Sequence, residues 1–116
     1  MKKSFLILML VCFTATYLSA KDVNHVDTSK IYSVKLANTD LKNGSVKFLI
    51  RGGIVSIYVK GQELFEKKYA VDYYDFGCIM HANISIEDYN KVVASFMDRK
   101  YGRGWRKEVR KDIQGI

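Results

Sequence analysis

Residues 85–101 read SIEDYNKVVASFMDRKY, and this stretch decides the fold because it is the clearest helix in the sequence. Ser85 is a residue type that caps helix N-termini, and Asp88 three positions later resembles a capping box. An apolar stripe at helical spacing runs along it, formed by Tyr89, Val92, Val93, Phe96 and Met97. Gly102 then supplies a left-handed stop. The sequence predicts an amphipathic helix that buries one face against the rest of the domain.

Alternating apolar residues upstream of this helix predict strands. Residues 31–36 alternate weakly, and two β-branched runs, residues 46–51 and 54–59, alternate on either side of Gly52-Gly53. Because both positions of a two-residue hairpin turn favour positive φ, the glycine pair predicts a β-hairpin with antiparallel strands. The alternative is a strand that ends at Gly52 and leads into a loop.

The rest of the chain completes an α+β pattern. Residues 62–70 switch to helical spacing and predict a short helix, and residues 71–76 alternate again and predict a strand. After Gly104, three apolar residues recur four apart, which predicts a short C-terminal helix; they are Trp105, Val109 and Ile113. Strands precede helices, so the predicted fold class is α+β, a small single domain with antiparallel strands in its first half.

Residues 1–20 have the pattern of an export signal. Two lysines precede an unbroken apolar run over residues 5–13, and Ala20 is followed by charged residues. The apolar stretch is shorter than the roughly 20 residues that a membrane-spanning helix needs. We therefore expect cleavage near Ala20 and export to the periplasm or exterior of a bacterium. The mature chain, residues 21–116, would have no transmembrane segment.

The mature chain is a single globular domain by length and composition. Cleavage near Ala20 leaves 96 of the 116 residues, too few for a two-domain enzyme or a barrel of TIM size. Residues 21–30 are polar and predict a loose N-terminal arm. Only one cysteine, Cys78, remains, which excludes a scaffold held together by disulfides.

Cys78 and His81 are the candidate catalytic residues, because a thiolate nucleophile needs a base within hydrogen-bond reach. On a continuing strand, residues three apart point to opposite faces, so the pair would require a sharp turn after Gly77. A zinc site would need further ligands such as His25 and Asp75. The favoured interpretation is an inert, packed Cys78, and the sequence predicts no metal site and no cofactor.

Most of the net positive charge lies at the C-terminus. Residues 98–116 contain seven Lys and Arg against three acidic residues, a net charge of +4, within a mature chain of net charge +5. A cationic helix with a tryptophan could bind anionic lipid or nucleic acid. The candidate binding residues are Arg103, Trp105, Arg106, Lys107, Arg110 and Lys111. The favoured alternative directs Trp105, Val109 and Ile113 inward and leaves the charges in water.

Three groups of residues after Phe65 form a recognisable pattern: Tyr73-Tyr74-Asp75-Phe76-Gly77-Cys78, Tyr101-Gly102 with Trp105, and Val109-Arg110-Lys111-Asp112. In these residues the chain resembles a group of small exported proteins of unknown function from Bacteroides-type gut bacteria. The resemblance implies an exported bacterial protein, and it assigns no catalytic role to any of these residues.

Three hypotheses about function follow. The first is a non-enzymatic binding or interaction domain, whose partner would be an envelope protein or an anionic surface. The second is a small thiol-dependent enzyme that uses Cys78 and His81. The third is a cationic binder of anionic lipid or nucleic acid through residues 99–111. The second requires an exposed and ionised Cys78, and the third requires a basic face without carboxylate partners.

Overall fold

The computed structural model describes residues 27–77 and 82–116, and within these ranges the fold is α+β, as predicted. The elements are α1 (Thr28–Lys42), β1 (Lys47–Ile50), α2 (Gln62–Tyr69), β2 (Asp72–Asp75), α3 (Ile86–Tyr101) and a 3-10 helix (Gly104–Lys107). In this part of the chain, no helix combines the length and the apolar character that crossing a bilayer requires.

Helix α3 matches its prediction closely. The Ser85 hydroxyl accepts a hydrogen bond from the Asp88 N–H at 3.3 Å and so caps the N-terminus. The predicted capping box is incomplete, because the Asp88 carboxylate accepts from the Ser85 hydroxyl at 2.6 Å, whereas the Ser85 N–H donates to Ser33. Gly102 caps the C-terminus with φ of 72°. The buried face comprises Ile86, Tyr89, Asn90, Val93, Ala94 and Met97.

Helix α1 replaces two predicted features, and both predictions are wrong for the described residues. The strand predicted over residues 31–36 is helical, and so are residues 28–30 at the end of the predicted loose arm. The cause is an N-cap: the Asp27 carboxylate accepts hydrogen bonds from the backbone N–H groups of Ser29 and Lys30, at 3.1 and 3.3 Å.

Small side chains attach α1 to the core. Ser33 and Ala37 lie one turn apart and are fully buried, whereas the larger Ile31 and Tyr32 are exposed. The Ser33 hydroxyl also accepts a hydrogen bond from the Ser85 N–H at 2.7 Å. In residues 31–36, the alternating apolar side chains that predict a strand are therefore not the ones that face the core.

The two strands pair in parallel, and the predicted antiparallel hairpin is wrong. Lys47 lies opposite Asp72, and the register continues along both strands. Neither Gly52 nor Gly53 has the positive φ that a two-residue hairpin turn requires. Residues 54–59 form no strand and continue as irregular backbone toward α2.

Both edges of β1 are already occupied, which explains why no hairpin forms. One edge receives β2, for instance through the bond from the Asp72 N–H to the Val46 carbonyl at 3.0 Å. At the other edge, the side-chain amide of Asn90 accepts from the Leu49 N–H at 2.8 Å and donates to the Leu49 carbonyl at 2.9 Å. A side chain of α3 thus takes the place of a third strand.

A continuous set of aromatic contacts joins these elements. Tyr73 stacks with Phe48 at 6.5 Å and with Phe65 at 5.6 Å between ring centroids, and Phe65 also contacts Tyr69 at 4.8 Å. Tyr69 meets Tyr101 edge to face at 5.2 Å. The rings connect both strands to α2 and α3 and bring the start of α2 close to the C-terminal segment.

The C-terminal segment packs inward but is less helical than predicted. The 3-10 helix ends at Lys107, and the remaining residues form turns. Trp105, Val109 and Ile113 are nevertheless 0, 4 and 7 % exposed. Trp105 stacks on Phe48 with 5.5 Å between ring centroids. The inward orientation of these side chains is therefore achieved without a regular helix.

Candidate binding surface

Residues 54–59, here called the apolar segment, present a row of apolar side chains to solvent. The exposed fractions are 95 % for Ile54, 75 % for Val55, 67 % for Ile57 and 63 % for Tyr58. Isolated exposed apolar residues are ordinary on protein surfaces, but a contiguous group of them marks an interaction site. We therefore take this segment as the candidate site.

Polar contacts attach the apolar segment to the fold while its apolar side chains project outward. Three hydrogen bonds do so: Ser56 Oγ to Asp75 Oδ2 at 2.9 Å, Tyr58 OH to Glu63 Oε2 at 2.6 Å, and Val59 N–H to Gln62 Oε1 at 3.0 Å. The bond from the Tyr58 hydroxyl lowers the pKa of the Glu63 carboxyl. The segment is thus held in place in the absence of a partner.

Gly52 allows the chain to enter the apolar segment close to the end of β2. A Cβ at position 52 would collide with the Asp75 carboxylate and lie 2.6 Å from the Gly77 nitrogen. The glycine is therefore required by a close approach rather than by a hairpin turn.

A cleft of about 180 Å³ lies at the end of the apolar segment. Residues 59–62 form one wall, residues 108–111 form the other, and Phe65 and Tyr73 also line it. Burial raises the pKa of the Tyr73 hydroxyl to about 12, so this phenol is neutral at physiological pH. The cleft places the apolar segment directly beside the basic C-terminus.

Arg110 joins the two walls of this cleft. Its guanidinium makes a bidentate pair with Asp112, at 3.0 and 2.7 Å, and donates to Gln62 Oε1 at 2.9 Å. It also lies over the Tyr73 ring at 5.4 Å. The hydrogen bonds to Asp112 raise the pKa of Arg110. All these contacts are internal, so Arg110 stabilises the site rather than offering its charge to a ligand.

Cations surround the apolar segment. Arg51 and Lys60 flank it and are exposed, and residues 51–62 contain no Asp or Glu. Neither cation has a carboxylate within 4.0 Å among the described residues. Lys111 lies across the cleft and is exposed. The surface therefore combines an apolar centre with a cation at each end, beside the Asp75 and Glu63 carboxylates that hold the segment in place.

Three of the six predicted binding residues are engaged in the fold. Besides Arg110, these are Trp105, which is fully buried, and Arg106, which lies over the Trp105 ring at 4.9 Å. Trp105 Nε1 donates to Asp98 at 3.0 Å, and Arg106 pairs with the same carboxylate at 2.8 Å. The hydrogen bonds from Arg106 hold the pKa of Asp98 below its usual value.

The other three predicted residues, Arg103, Lys107 and Lys111, are exposed. Within the described ranges, none of them forms a salt bridge with a carboxylate. Lys111 instead donates to the Lys107 carbonyl at 3.3 Å. The predicted set thus separates into three structural residues and three cations that face solvent.

The predicted catalytic pair, Cys78 and His81, lies outside the described residues, and so does the predicted export signal. Their roles stay predictions. Among the residues that the structure does describe, no group of three or more His, Cys, Asp and Glu side chains could hold a metal ion.

The sequence contains a signal for the exposure of the apolar segment that the hairpin prediction does not use. A half-buried strand carries one polar face, but in residues 54–59 only Ser56 is neither aliphatic nor aromatic. Such a run needs cover on both faces, and the described residues, whose sheet has only two strands, have few elements to provide it. The side chains of residues 54–59 are therefore either exposed to solvent or covered by a partner.

No protein-family model, curated protein or solved structure matches this chain.

Proposed function

We propose that the chain is an exported bacterial binding domain that acts through the apolar segment and performs no catalysis. The observation that carries this proposal is the exposure of four neighbouring apolar side chains: Ile54, Val55, Ile57 and Tyr58. Burying one such side chain contributes about 1.5–3 kcal/mol, so burial of these four side chains by a partner would contribute favourably to the free energy of binding. Hydrogen bonds fix the segment in advance, which lowers the entropy cost of binding.

Export supports the same function. Residues 1–20 have the pattern of a cleaved signal, and the chain from Phe65 onward resembles small exported proteins of Bacteroides-type bacteria. An exported domain of this size meets envelope proteins and anionic surfaces, which are the partners expected from its composition.

Site-specific photo-cross-linking tests this proposal without knowledge of the partner. A photoreactive residue at Ile57 is expected to give discrete adducts in the exporting host, because this side chain would contact the partner directly. The matched control is Ile31, an exposed isoleucine on α1 (57 % exposed, against 67 % for Ile57). Adducts from Ile57 should disappear when Ile54 and Val55 are replaced by serine. Equal yields from both positions, or no adduct from Ile57, would count against the proposal.

The thiol-dependent enzyme makes an opposite prediction about Cys78. Its sequence neighbours Phe76, Ile79 and Met80 are apolar, and no Lys or Arg lies close in sequence to stabilise a thiolate. We expect native Cys78 to react with iodoacetamide at neutral pH more slowly than a model thiol, and at the full rate after denaturation. Native labelling faster than the model thiol would make the enzyme the leading hypothesis.

A further inference from the structure

We infer that the apolar segment inserts into the interfacial region of an anionic membrane, with Arg51 and Lys60 on the lipid headgroups. This inference rests on the proposed binding function and names its partner. The apolar segment consists of exposed apolar side chains bordered by cations, and protein surfaces that lie in a membrane interface have the same pattern.

The irregular backbone of the apolar segment favours lipid over a protein strand as its partner. Ile54 and Val55 are consecutive and both exposed, and so are Ile57 and Tyr58. The backbone bends at residues 54 and 55 and is irregular over residues 56–59, so it offers no regular strand edge with which a partner strand could pair. The boundary between headgroups and acyl chains surrounds all of these side chains at once.

The charges around the segment favour an anionic lipid. Arg51 and Lys60 lie at its two ends, and Lys111 lies across the adjoining cleft. The neighbouring carboxylates, Glu63 and Asp75, accept hydrogen bonds from Tyr58 and Ser56 but keep their negative charge, so the three cations exceed them by one positive charge. The cations can therefore approach phosphates at the same depth at which the apolar side chains enter the membrane.

Tyr58 fits the same arrangement. Its ring is exposed, while its hydroxyl is fixed to Glu63 at 2.6 Å. An aromatic ring with one polar end is the type of side chain that proteins place at the membrane–water boundary. The backbone of the segment would stay at that boundary, where water and headgroups can satisfy its N–H and C=O groups.

Other partners fit this surface less well. Nucleic acid would attract the cations, but it has no apolar interior in which Ile54 and Ile57 could be buried. Trp105 of the basic C-terminus is itself buried, so it cannot stack on a base. Antiparallel pairing with the same segment of a second copy would bring Arg51 of one chain near Lys60 of the other at both ends. Like charges in such positions destabilise a pair.

Vesicle binding of the exported protein tests the inference. The probe is vesicles of phosphatidylcholine with about 30 % phosphatidylglycerol, compared with phosphatidylcholine alone. The wild-type protein is expected to bind the anionic vesicles, and the double variant Ile54→Ser/Ile57→Ser is expected to bind about tenfold or more weakly. The matched control Ile31→Ser removes an equally apolar exposed side chain from α1 and should bind like the wild type.

A charge variant tests the two flanking cations separately. Arg51→Glu/Lys60→Glu should lose most of the preference for anionic over neutral vesicles, and the binding of the wild type should weaken with added salt. All of these positions are exposed, so each variant should melt at the wild-type temperature, which thermal denaturation checks.

The outcomes separate the lipid inference from the proposed binding function. Failure of the wild type to bind anionic vesicles, or equal loss in the Ile54→Ser/Ile57→Ser and Ile31→Ser variants, would overturn the lipid inference. Protein adducts from Ile57 would then still support a binding domain, whereas their absence would remove both proposals. A dimer in vesicle-free solution that the double variant abolishes would assign the segment to a second copy instead.

Discussion

Replacing Trp105 by alanine is expected to destabilise the protein by about 3–5 kcal/mol. The indole is fully buried, stacks on Phe48 with 5.5 Å between ring centroids, and donates a hydrogen bond to Asp98 at 3.0 Å. Truncation would remove the apolar contacts and leave a cavity between β1 and the C-terminal segment. Folded domains are stable by only about 5–15 kcal/mol, so this loss would be a large part of the total.

Denaturant-induced unfolding of the Trp105→Ala variant measures this effect, with two variants as controls. Trp105→Phe keeps a stacked ring and should lose much less stability. Lys107→Ala changes an exposed neighbour and should stay within about 0.5 kcal/mol of the wild type. An unchanged unfolding free energy, together with weaker vesicle binding, would instead mean that Trp105 faces lipid and that its burial is not maintained in solution.

The elements that were predictable from the sequence are those with a complete local signal. For α3, the cap at Ser85, the apolar stripe and the stop at Gly102 all lie within the same stretch, and the structure confirms each. For residues 31–36, the decisive signal was the Asp27 cap upstream, and the alternation was misleading because Ile31 and Tyr32 are exposed. Local pattern fails where helix packing uses small side chains such as Ser33 and Ala37.

Strand pairing depended on a contact that no local pattern contains. Gly52-Gly53 between two β-branched runs predicts a hairpin, but the Asn90 amide occupies the free edge of β1 from a position 41 residues away. Asn90 sits on the buried face of a helix where the apolar stripe leads one to expect a hydrophobic residue. A buried amide of this kind is a signal that a backbone needs hydrogen bonds, although the sequence does not say which backbone.

The candidate site was only partly predictable for a related reason. Charge counting located exposed cations at Arg103, Lys107 and Lys111, but it could not separate them from Arg106 and Arg110, whose partners are fixed by the tertiary fold. The composition of the apolar segment suits a strand, so the sequence pattern predicts a sheet there. Its exposure follows from the occupation of both edges of β1 by β2 and Asn90, which is a property of the tertiary fold.

Replacing Asn90 by leucine is expected to destabilise the protein by about 3 kcal/mol or more, although the two side chains are similar in size. The Asn90 amide accepts from the Leu49 N–H and donates to the carbonyls of Leu49 and Gln114, at 2.8, 2.9 and 2.9 Å. Leucine would leave all three backbone groups without partners in a site where Asn90 is fully buried. One side chain therefore connects β1, α3 and the C-terminal segment.

The Asn90→Asp variant distinguishes this network from simple packing through its pH dependence. The introduced carboxyl can accept from the Leu49 N–H, but when ionised it faces two carbonyl oxygens in a buried site, so folding should raise its pKa. Below about pH 4, the carboxyl is protonated in both the folded and the unfolded protein, so it does not affect stability through its charge. Above about pH 4, it ionises more readily in the unfolded protein, so the folded state is destabilised progressively as pH rises. Unfolding free energies relative to the wild type should thus show a larger deficit near pH 7 than near pH 4.

The exposed Asn38 provides the control, because Asn38→Leu should change stability by about 0.5 kcal/mol at most. A deficit for Asn90→Asp that is independent of pH, or an Asn90→Leu variant as stable as Asn38→Leu, would show that the three hydrogen bonds contribute little to holding the sheet in place.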